Sequence, residues 1–499
     1  MHKGRCASVT SALVSAPRRW RIYTFVLAII LSLTLVLTVL VYYTLSPKGF
    51  HIASPLQRVS DMPPYVTFPS SKLPSANVSI DLATIFVSIA SFRDDECAST
   101  VESILRNAKN ASRVYIGISE ERLQTDKSCL SAPVLSERIG VNQILRFRWS
   151  DIVPSAFWGA EIVGKQPPPT PILHAGRDED VLSCVLMPGI SQLAVHETGG
   201  DILHNCQIIT RVGDPDDARG PTYARYLSSL LYGGQNYYMV IDSHTRVVPS
   251  WDVKMIERAR LMPTRGVLSH YPNGYTPQNP DKELNYPNIM AMCKAVIPST
   301  GVPKLGAHWI LKSYRPLLQF FVAAGYIFGD AQFVKDVPFD PYLPYLFEGE
   351  EMLYTARLWT SGWDSYCPGD SFAFHNYERP GVPRFWTVIY DSDERQERAR
   401  EEKIGTLRAL YLMRRNVLNS TTPLVSHEVS HNLYPAISFE EERFGMGSER
   451  PLPLFWKLSQ LSDEFVKAKD SEGRWVGGDQ WCSRLEAMSL SLKSKASKG

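Results

Sequence analysis

The sequence carries little excess charge of either sign, and it lacks the common phosphate-binding loops. Its 499 residues include 53 Lys and Arg against 51 Asp and Glu, so the formal net charge is only +2. Nucleic-acid-binding domains usually show a strongly basic domain or patch, so this composition gives no support for a nucleic-acid partner. Neither G-x-x-x-x-G-K-[ST] nor a G-x-G-x-x-G after a strand occurs in the sequence. The loops that cradle phosphate in many nucleotide-binding enzymes are therefore absent.

Cysteine pairs at metal-binding spacing are also missing. None of the eight cysteines forms a C-x-x-C pair, which makes a zinc site a weak interpretation. Seven of them follow the apolar segment described next, at positions 97, 129, 184, 206, 293, 367 and 482. An oxidising compartment favours disulfides between them. Because seven is an odd number, at least one must be free or bonded to another chain, and the connectivity stays open.

The longest apolar run lies near the N-terminus. Residues 23–45 contain no charged side chain, and a helix needs about 20 apolar residues to span a bilayer. Five basic residues precede the run and only Lys48 follows closely, which predicts a cytosolic N-terminus and a lumenal body. The alternative is a cleaved signal peptide, whose apolar region is usually shorter and ends in small residues. Sequons at Asn77, Asn110 and Asn419 agree with a lumenal body.

We therefore expect a single-pass type II protein of the Golgi membrane. The predicted parts are a cytosolic tail (1–22), a transmembrane signal anchor (23–45), a stem (46–83), a catalytic domain (84–450) and a C-terminal extension (451–499). Scattered proline and serine without a sustained period are typical of a linker, which is why residues 46–83 are assigned to the stem. Residues 151–215 include a proline run and a charge cluster, and we interpret them as an insertion whose role is open.

The catalytic domain begins with the pattern of a strand, a helix and a second strand. Residues 85–90 are short, apolar and rich in β-formers, and residues 97–108 repeat apolar side chains at helical spacing. Residues 114–118 form the next apolar run. This order predicts a βαβ unit, and hence an α/β fold in which helices cover a parallel sheet. Such sheets bind ligands beyond the carboxyl ends of their strands, so we expect a ligand to bind near residues 93–95.

Another predicted strand ends in a candidate metal motif. Residues 237–241 follow a predicted helix that begins at Pro221, and this continuous apolar run leads directly into Asp242, Ser243 and His244. Side chains alternate along a strand, so Asp242 and His244 can point to the same side. A divalent cation that neutralises a leaving diphosphate uses such carboxylate and imidazole ligands. The alternative is a turn in which Asp242 caps the next segment.

Other carboxylates have simpler interpretations. Three Asp-x-Asp triplets, at residues 178–180, 214–216 and 391–393, have no apolar strand directly before them, and we interpret them as solvated loop carboxylates. Glu348, Glu350 and Glu351 lie at the start of a predicted helix, where the helix dipole favours carboxylates. Solvated capping is one interpretation of these glutamates and a role in the site is the other. His375 follows among aromatic residues and becomes relevant only as a distant third ligand.

Taken in order, these segments resemble the polypeptide α-N-acetylglucosaminyltransferases, which include the Skp1-type enzymes and the protozoan mucin-type O-GlcNAc transferases. The resemblance depends on the ordered set rather than on any single segment, and it covers residues 84–450. The matching segments are residues 85–94, 220–225, 238–244 with Trp251 and Asp252, 328–331, 347–351, 366–368 with His375, and 443–450.

The resemblance implies a GT-A type, Rossmann-like nucleotide-sugar-binding domain, a UDP-GlcNAc donor, Mn²⁺ dependence and a configuration-retaining product. The metal ligands that it implies are Asp242, His244 and His375. The donor-binding residues that it implies are Arg93, Asp94, Arg225 and Asp242. The catalytic residues that it implies are Glu350 and Glu351, which would face the sugar or the acceptor. The Skp1-modifying members act on hydroxyproline in the cytosol and have no anchor, so the predicted anchor favours a Thr or Ser of a secreted or surface, mucin-like polypeptide.

For the reaction we expect the leaving diphosphate to accept the proton of the attacking hydroxyl, so that no Asp or Glu base is obligatory. A double displacement with Glu350 or Glu351 as the nucleophile is the alternative. Two other classes of protein stay open. A metal-dependent lumenal hydrolase could also use Asp, His and Glu, and an anchored lectin-like protein could keep the fold without the activity.

Overall fold

A ten-stranded sheet lies at the centre of this fold in a computed structural model of the chain. The structure describes residues 70–139, 144–149, 181–187, 205–277, 286–297, 302–390, 395–414, 434–461, 468–469, 475–477 and 479–496. Within these ranges, no helix has the length and apolar character needed to cross a bilayer. The predicted tail, the anchor, most of the stem, the triplets at 178–180 and 391–393 and the sequon at Asn419 lie outside the described residues.

The elements are numbered in chain order. The strands are β1 (Ile85–Phe92), β2 (Val114–Glu121), β3 (Ile144–Arg148), β4 (Val181–Leu186), β5 (Cys206–Gly213), β6 (Tyr237–Asp242), β7 (Thr245–Val247), β8 (Gly266–Ser269), β9 (Asn273–Gly274), β10 (Asn288–Ile297), β11 (Lys304–Leu311), β12 (Leu317–Gln319), β13 (Tyr326–Asp330), β14 (Asp364–Cys367), β15 (Ala373–His375), β16 (Ala468–Lys469) and β17 (Trp475–Gly477). The α-helices are α1 (Cys97–Asn107), α2 (Pro133–Ile139), α3 (Pro221–Ser229), α4 (Trp251–Arg260), α5 (Gln332–Asp336), α6 (Glu350–Thr360), α7 (Phe385–Tyr390), α8 (Arg395–Leu412), α9 (Tyr434–Ile437), α10 (Glu441–Phe444), α11 (Leu452–Leu458) and α12 (Asp479–Ala496).

The sheet order is β12-β14-β8-β13-β6-β1-β2-β5-β4-β3. The four central strands, β6, β1, β2 and β5, are parallel, which confirms the predicted α/β class and the βαβ unit. The expectation of a parallel sheet does not hold throughout, because β13, β4, β3 and β12 pair antiparallel to their neighbours, although β8 and β14 form a further parallel pair. In the register of β1 and β6, Ala90 lies opposite Asp242. Both strands therefore end at the same edge of the sheet.

Both faces of the central strands are buried, because their side chains alternate between two hydrophobic cores. On β6, Met239 and Ile241 belong to the core that contains residues of α1 and α4. Tyr238 and Val240 belong to the core that contains residues of α3 and α6. A strand covered on both faces needs no polar alternation. This explains why residues 237–241 form a continuous apolar run, and it holds the end of β6 rigidly.

The last part of the predicted stem packs on the domain. Leu73 is buried in a hydrophobic core, and the Ser75 backbone N–H donates to Asp330 over 2.8 Å. Arg113 donates to the backbone carbonyls of Ile80 and Ala83. The part of the predicted stem that the structure describes, from Ser70 to Ala83, therefore packs on the domain that is predicted to begin at Thr84.

The predicted C-terminal extension also contributes to the fold. β17 pairs antiparallel with β10, and Trp481 of α12 packs on Phe320 with ring centroids 5.1 Å apart. A disulfide between Cys293 and Cys482 joins β10 to α12. The other disulfides are Cys97–Cys129 and Cys184–Cys206, and Cys367 is free and buried. The odd cysteine expected from the sequence is therefore Cys367.

Replacing Asp252 with asparagine is expected to lower the free energy of unfolding by about 2 kcal/mol, because a charged hydrogen bond would be lost in a buried site. The Asp252 carboxylate pairs with Arg113 over 2.7 Å and accepts the Lys109 backbone N–H over 2.8 Å. Asparagine keeps an acceptor for the amide but loses the charge opposite Arg113. Urea unfolding measures the change. The matched control is Asp81→Asn, since the Asp81 side chain is 81% exposed and 3.9 Å from Lys109. Equal stability of the two variants would contradict a structural role for this motif residue.

Candidate active site

Three predicted metal ligands meet at the carboxyl end of β6. Their ligand atoms, from Asp242, His244 and His375, all lie within 4.8 Å of one another. Asp242 is the last residue of β6 and His244 follows two residues later, so the buried strand determines the position of both. His375 is delivered by β15, which pairs antiparallel with β7 so that His375 lies opposite Thr245. A small three-stranded sheet therefore brings together ligands that are distant in the sequence.

Each ligand has a defined orientation. His244 is hydrogen-bonded through Nδ1 to the Asp94 carboxylate over 2.6 Å, which leaves its Nε2 for another partner. His375 Nε2 lies 3.2 Å from the Asp242 carboxylate, and His375 Nδ1 is buried without a hydrogen-bond partner among the described residues. The two imidazole rings lie 4.4 Å apart between centroids. One carboxylate and two imidazoles form a donor set that suits a divalent transition metal.

The protonation of the group also fits a metal. Burial raises the pKa of Asp242, but the hydrogen bond from His375 and the charge of Arg225 outweigh burial and hold that pKa well below its usual range. Burial lowers the pKa of His375. At neutral pH the pair therefore favours a carboxylate and a neutral imidazole, and these are the forms that bind metal.

Arg225 lies behind the ligands and joins them to α6. Its guanidinium pairs with Asp242 over 3.1 Å and with Glu350 over 2.6 Å. Gly220 precedes α3 with a φ of 95°, and Pro221 then starts the helix that carries Arg225. Thr222 of the same helix also hydrogen-bonds Glu350. Glu350 is thus a buried partner of a cation, and the solvated-capping interpretation is wrong for it.

Glu351 lies in a different environment from its neighbour. Its carboxyl accepts the Tyr271 hydroxyl over 2.7 Å and the Ala324 backbone N–H over 2.9 Å. Burial raises the pKa of Glu351 to about 7. Glu351 is therefore not a solvated cap either, whereas Glu348 is 50% exposed and pairs with Lys304. Tyr271 was missed from the sequence, although it follows β8 and the strand-end rule could have found it.

These residues line one cavity of about 410 Å³. Its lining contains the three candidate ligands, Arg225, Glu350, Glu351 and Tyr271. The lining also includes aromatic and basic side chains, namely Phe347, Tyr377, Phe385, Trp386, Lys304, Arg379 and Arg384. Of these, Phe347 is 50% exposed and Trp386 is 40% exposed, and their rings lie 4.9 Å apart. The cavity therefore combines charged groups, which can hold a charged ligand, with exposed aromatic rings that can contact a second molecule.

The structure does not bring every predicted donor-binding residue to this cavity. Arg93 pairs with Asp126 over 2.8 Å, and neither Arg93 nor Asp94 lines the cavity. Asp94 is buried beneath His244. Asp214, in the only Asp-x-Asp triplet within the described residues, caps a short 3₁₀ helix by accepting the Asp216 backbone N–H. That agrees with its interpretation as a loop carboxylate.

Replacing Gly349 with alanine is expected to lower both stability and any activity of the site. Gly349 has a φ of 96°, and a Cβ there would collide with Val302, so the start of α6 and its two glutamates must shift. We expect a loss of about 1–3 kcal/mol in the free energy of unfolding. Thermal unfolding and a transfer assay measure the two effects. Gly381→Ala is the matched control, because Gly381 has a φ of 76° but open space around it. Similar losses in both variants would contradict the role of the Val302 contact.

Comparison with known proteins defines the class. A family model described as "Glycosyltransferase (GlcNAc)" matches residues 84–465. The protein is thus a glycosyltransferase by sequence, and the chain belongs to the Glycosyltransferase (GlcNAc) family. The specific polypeptide-modifying subgroup goes beyond this match. No curated protein matched the sequence.

Three similar solved structures are distant in sequence. GalNAc-T7 with UDP, GalNAc and Mn²⁺ is 12% identical at a TM-score of 0.39, and the match covers 78% of this chain and 59% of that one. The mannosyltransferase PcManGT from Pyrobaculum calidifontis with GDP-Man and Mn²⁺ is 9% identical at a TM-score of 0.32, covering 91% of this chain and 98% of that one. S. aureus TarS 1–349 with UDP-GlcNAc is 8% identical at a TM-score of 0.28, covering 83% and 92%.

Proposed function

We propose that this protein is a retaining, metal-dependent glycosyltransferase of the GT-A type that moves GlcNAc from UDP-GlcNAc to a Thr or Ser hydroxyl of secretory or surface polypeptides. The observation that carries the proposal is the group of Asp242, His244 and His375 at the end of a buried parallel strand, within the cavity of a chain that belongs to a glycosyltransferase family. Asp242 and His244 lie at the sheet edge where α/β folds bind their ligands.

In this proposal Asp242, His244 and His375 would hold Mn²⁺, which would supply positive charge to stabilise a leaving diphosphate. Arg225 keeps the Asp242 carboxylate in place through a direct ion pair. Arg384, which lines the same cavity, supplies positive charge for donor phosphate oxygens. Glu351 and Tyr271 face the same space and offer hydrogen bonds to sugar hydroxyls.

The acceptor hydroxyl then attacks the anomeric carbon on the face from which the UDP oxygen leaves. A new carbon–oxygen bond forms as the old one breaks, and the hydroxyl proton passes to the leaving diphosphate. The surroundings of the two glutamates favour this route over a double displacement. Glu350 is already paired with Arg225, and the raised pKa of Glu351 reduces its carboxylate fraction at neutral pH, so neither is a ready nucleophile.

The acceptor and the location belong to the same proposal. Phe347 and Trp386 present contacting, exposed rings in the cavity that the candidate metal ligands also line, and an extended peptide could pack on them with its hydroxyl directed into the cavity. The uncharged run at residues 23–45 would anchor the chain in the Golgi membrane with the catalytic domain in the lumen. No nucleic-acid partner is proposed.

The test uses the full-length chain, purified in detergent and supplied with Mn²⁺, a panel of UDP-sugars and two peptides. One peptide is rich in Thr and Pro, and the other carries hydroxyproline. We expect transfer from UDP-GlcNAc to the first peptide, loss of transfer with EDTA, and an α-linked product by NMR. Transfer only to hydroxyproline would replace the acceptor class. Release of free sugar from simple glycosides without a nucleotide would favour a hydrolase, and a folded protein inactive with every donor would favour a lectin-like role.

A further inference from the structure

A buried carboxylate outside the cavity contacts one of the candidate metal ligands. The Asp94 side chain is fully buried, at 0% exposure. Its Oδ2 accepts hydrogen bonds from His244 Nδ1 over 2.6 Å, Ser243 Oγ over 2.7 Å and Arg379 Nη1 over 3.0 Å. Its Oδ1 accepts the Glu96 backbone N–H over 3.0 Å. All the contacts of Oδ2 therefore converge on the site, while Oδ1 holds the turn after β1.

The hydrogen bond to His244 has a chemical consequence. A neutral imidazole carries one proton, and the nitrogen that donates to a carboxylate is the one that keeps it. With Nδ1 donating to Asp94, the lone pair of His244 lies on Nε2. The contact also opposes rotation of the ring, so Nε2 stays directed away from Asp94. A carboxylate placed behind a metal-binding histidine in this way fixes its tautomer and strengthens it as a ligand.

We propose that Asp94 is a positioning residue of the metal centre, which fixes the tautomer and direction of His244 so that Nε2 serves as the ligand. This inference rests on the proposed metal-dependent function and assigns Asp94 a role other than donor binding. Because Arg379 lines the cavity and shares the same carboxylate oxygen, Asp94 also ties the ligand to the segment that follows β15. A change at Asp94 therefore acts on the metal centre without touching the donor.

Asp94→Asn is the informative variant. Asparagine removes the charge of the acceptor behind His244 and offers one oxygen to donors on both sides; when that oxygen accepts the Glu96 backbone N–H, an amide N–H₂ group takes the place of Oδ2. An amide donor facing Nδ1 favours the tautomer with its proton on Nε2, which blocks that nitrogen for metal. We expect Mn²⁺ affinity, measured by titration with electron paramagnetic resonance, to fall about 10- to 100-fold. At saturating Mn²⁺, the electron spin echo modulation should report two coordinated imidazole nitrogens in the wild-type protein and one in the variant.

The control is Glu96→Gln on the same turn. Glu96 is largely buried, pairs with Arg246 and accepts hydrogen bonds from Tyr275 and Asn376, and within the described residues its carboxylate has no hydrogen bond to the His244 ring. Its Mn²⁺ affinity should stay within about threefold of wild type, a change of well under 1.4 kcal/mol. Equal losses in both variants, or an unchanged affinity and nitrogen count in Asp94→Asn, would overturn the inference. A wild-type chain that binds no Mn²⁺ would instead refute the metal in the proposed function.

If Asp94→Asn does not fold, a measurement on the wild-type chain still tests the inference. Imidazole ¹⁵N NMR of the metal-free full-length protein reports which nitrogen of His244 carries the proton, with the resonance assigned by its loss in His244→Gln. A proton on Nδ1 supports the inference, and a proton on Nε2 overturns it.

Discussion

Asp242→Asn is expected to lower kcat/KM for sugar transfer by about a thousandfold, because the charge stabilisation that a bound metal supplies amounts to several kcal/mol. Asp242 is the only carboxylate in the three-residue cluster. An amide with two neutral imidazoles cannot balance the charge of a divalent cation, so Mn²⁺ affinity should fall with the activity. Transfer kinetics and Mn²⁺ titration on the same preparation measure both losses.

Asp216→Asn is the matched control for this prediction. Asp216 is an exposed residue of an Asp-x-Asp triplet that lies outside the cavity. It should keep wild-type transfer and metal binding. If Asp242→Asn folded normally and kept kcat/KM for transfer within tenfold of wild type, the reaction would not depend on the metal centre. The proposed mechanism would then be wrong.

The part of this site that could be predicted is the part that local sequence determines. The polar residues that directly follow a buried apolar strand lie at the edge of the sheet. That rule was enough for Asp242 and His244. His375 lies 133 residues from Asp242, on a three-residue strand with little pattern of its own, and only the family resemblance indicated it.

Pairing over long distances could not be predicted, because no periodicity encodes which side chains meet. Glu350 and Glu351 look alike as carboxylates at a helix start, yet one meets Arg225 and the other Tyr271. Asp94 was expected near the donor but is covered by His244. The three disulfides likewise depend on the tertiary arrangement, and the sequence determined only that the number of cysteines beyond the apolar segment is odd.

The surroundings of the two glutamates also explain why the helix dipole was a poor guide. The dipole adds only about 0.3–1 kcal/mol for a carboxylate near an exposed helix N-terminus. A buried ion pair such as Arg225 with Glu350 involves larger opposing terms, because each charge must leave water and then find a partner. The tertiary environment therefore decides the role of these residues.

Glu350→Gln and Glu351→Gln are expected to change stability in opposite directions. The first removes the charge of one partner of the buried Arg225 guanidinium, whose remaining carboxylate partner among the described residues is Asp242. Breaking a buried ion pair by removing one charge costs about 3 kcal/mol or more, so Glu350→Gln should unfold at a clearly lower urea concentration over the whole range from pH 5 to pH 8.

Glu351→Gln should show a pH dependence instead. The folded-state pKa of Glu351 is raised to about 7 from its usual value near 4.5, so the folded protein prefers the protonated acid. That preference favours folding below the unfolded-state pKa and is lost as the pH rises through about 7. Glutamine cannot lose the proton. The excess stability of the variant over wild type should therefore be small near pH 5 and grow toward pH 8, where it reaches at most roughly 3 kcal/mol at about 1.4 kcal/mol per pH unit.

Urea unfolding of the metal-free protein at both pH values separates the two effects, because bound metal would add its own pH dependence. The two variants carry the same substitution at adjacent positions of α6, so differences in helix propensity cancel between them. Parallel losses at both pH values would mean that Glu351 is ionised in the folded state. The cavity would then present a full negative charge beside Asp242, and hydrogen bonding by a protonated Glu351 to the sugar would no longer be available.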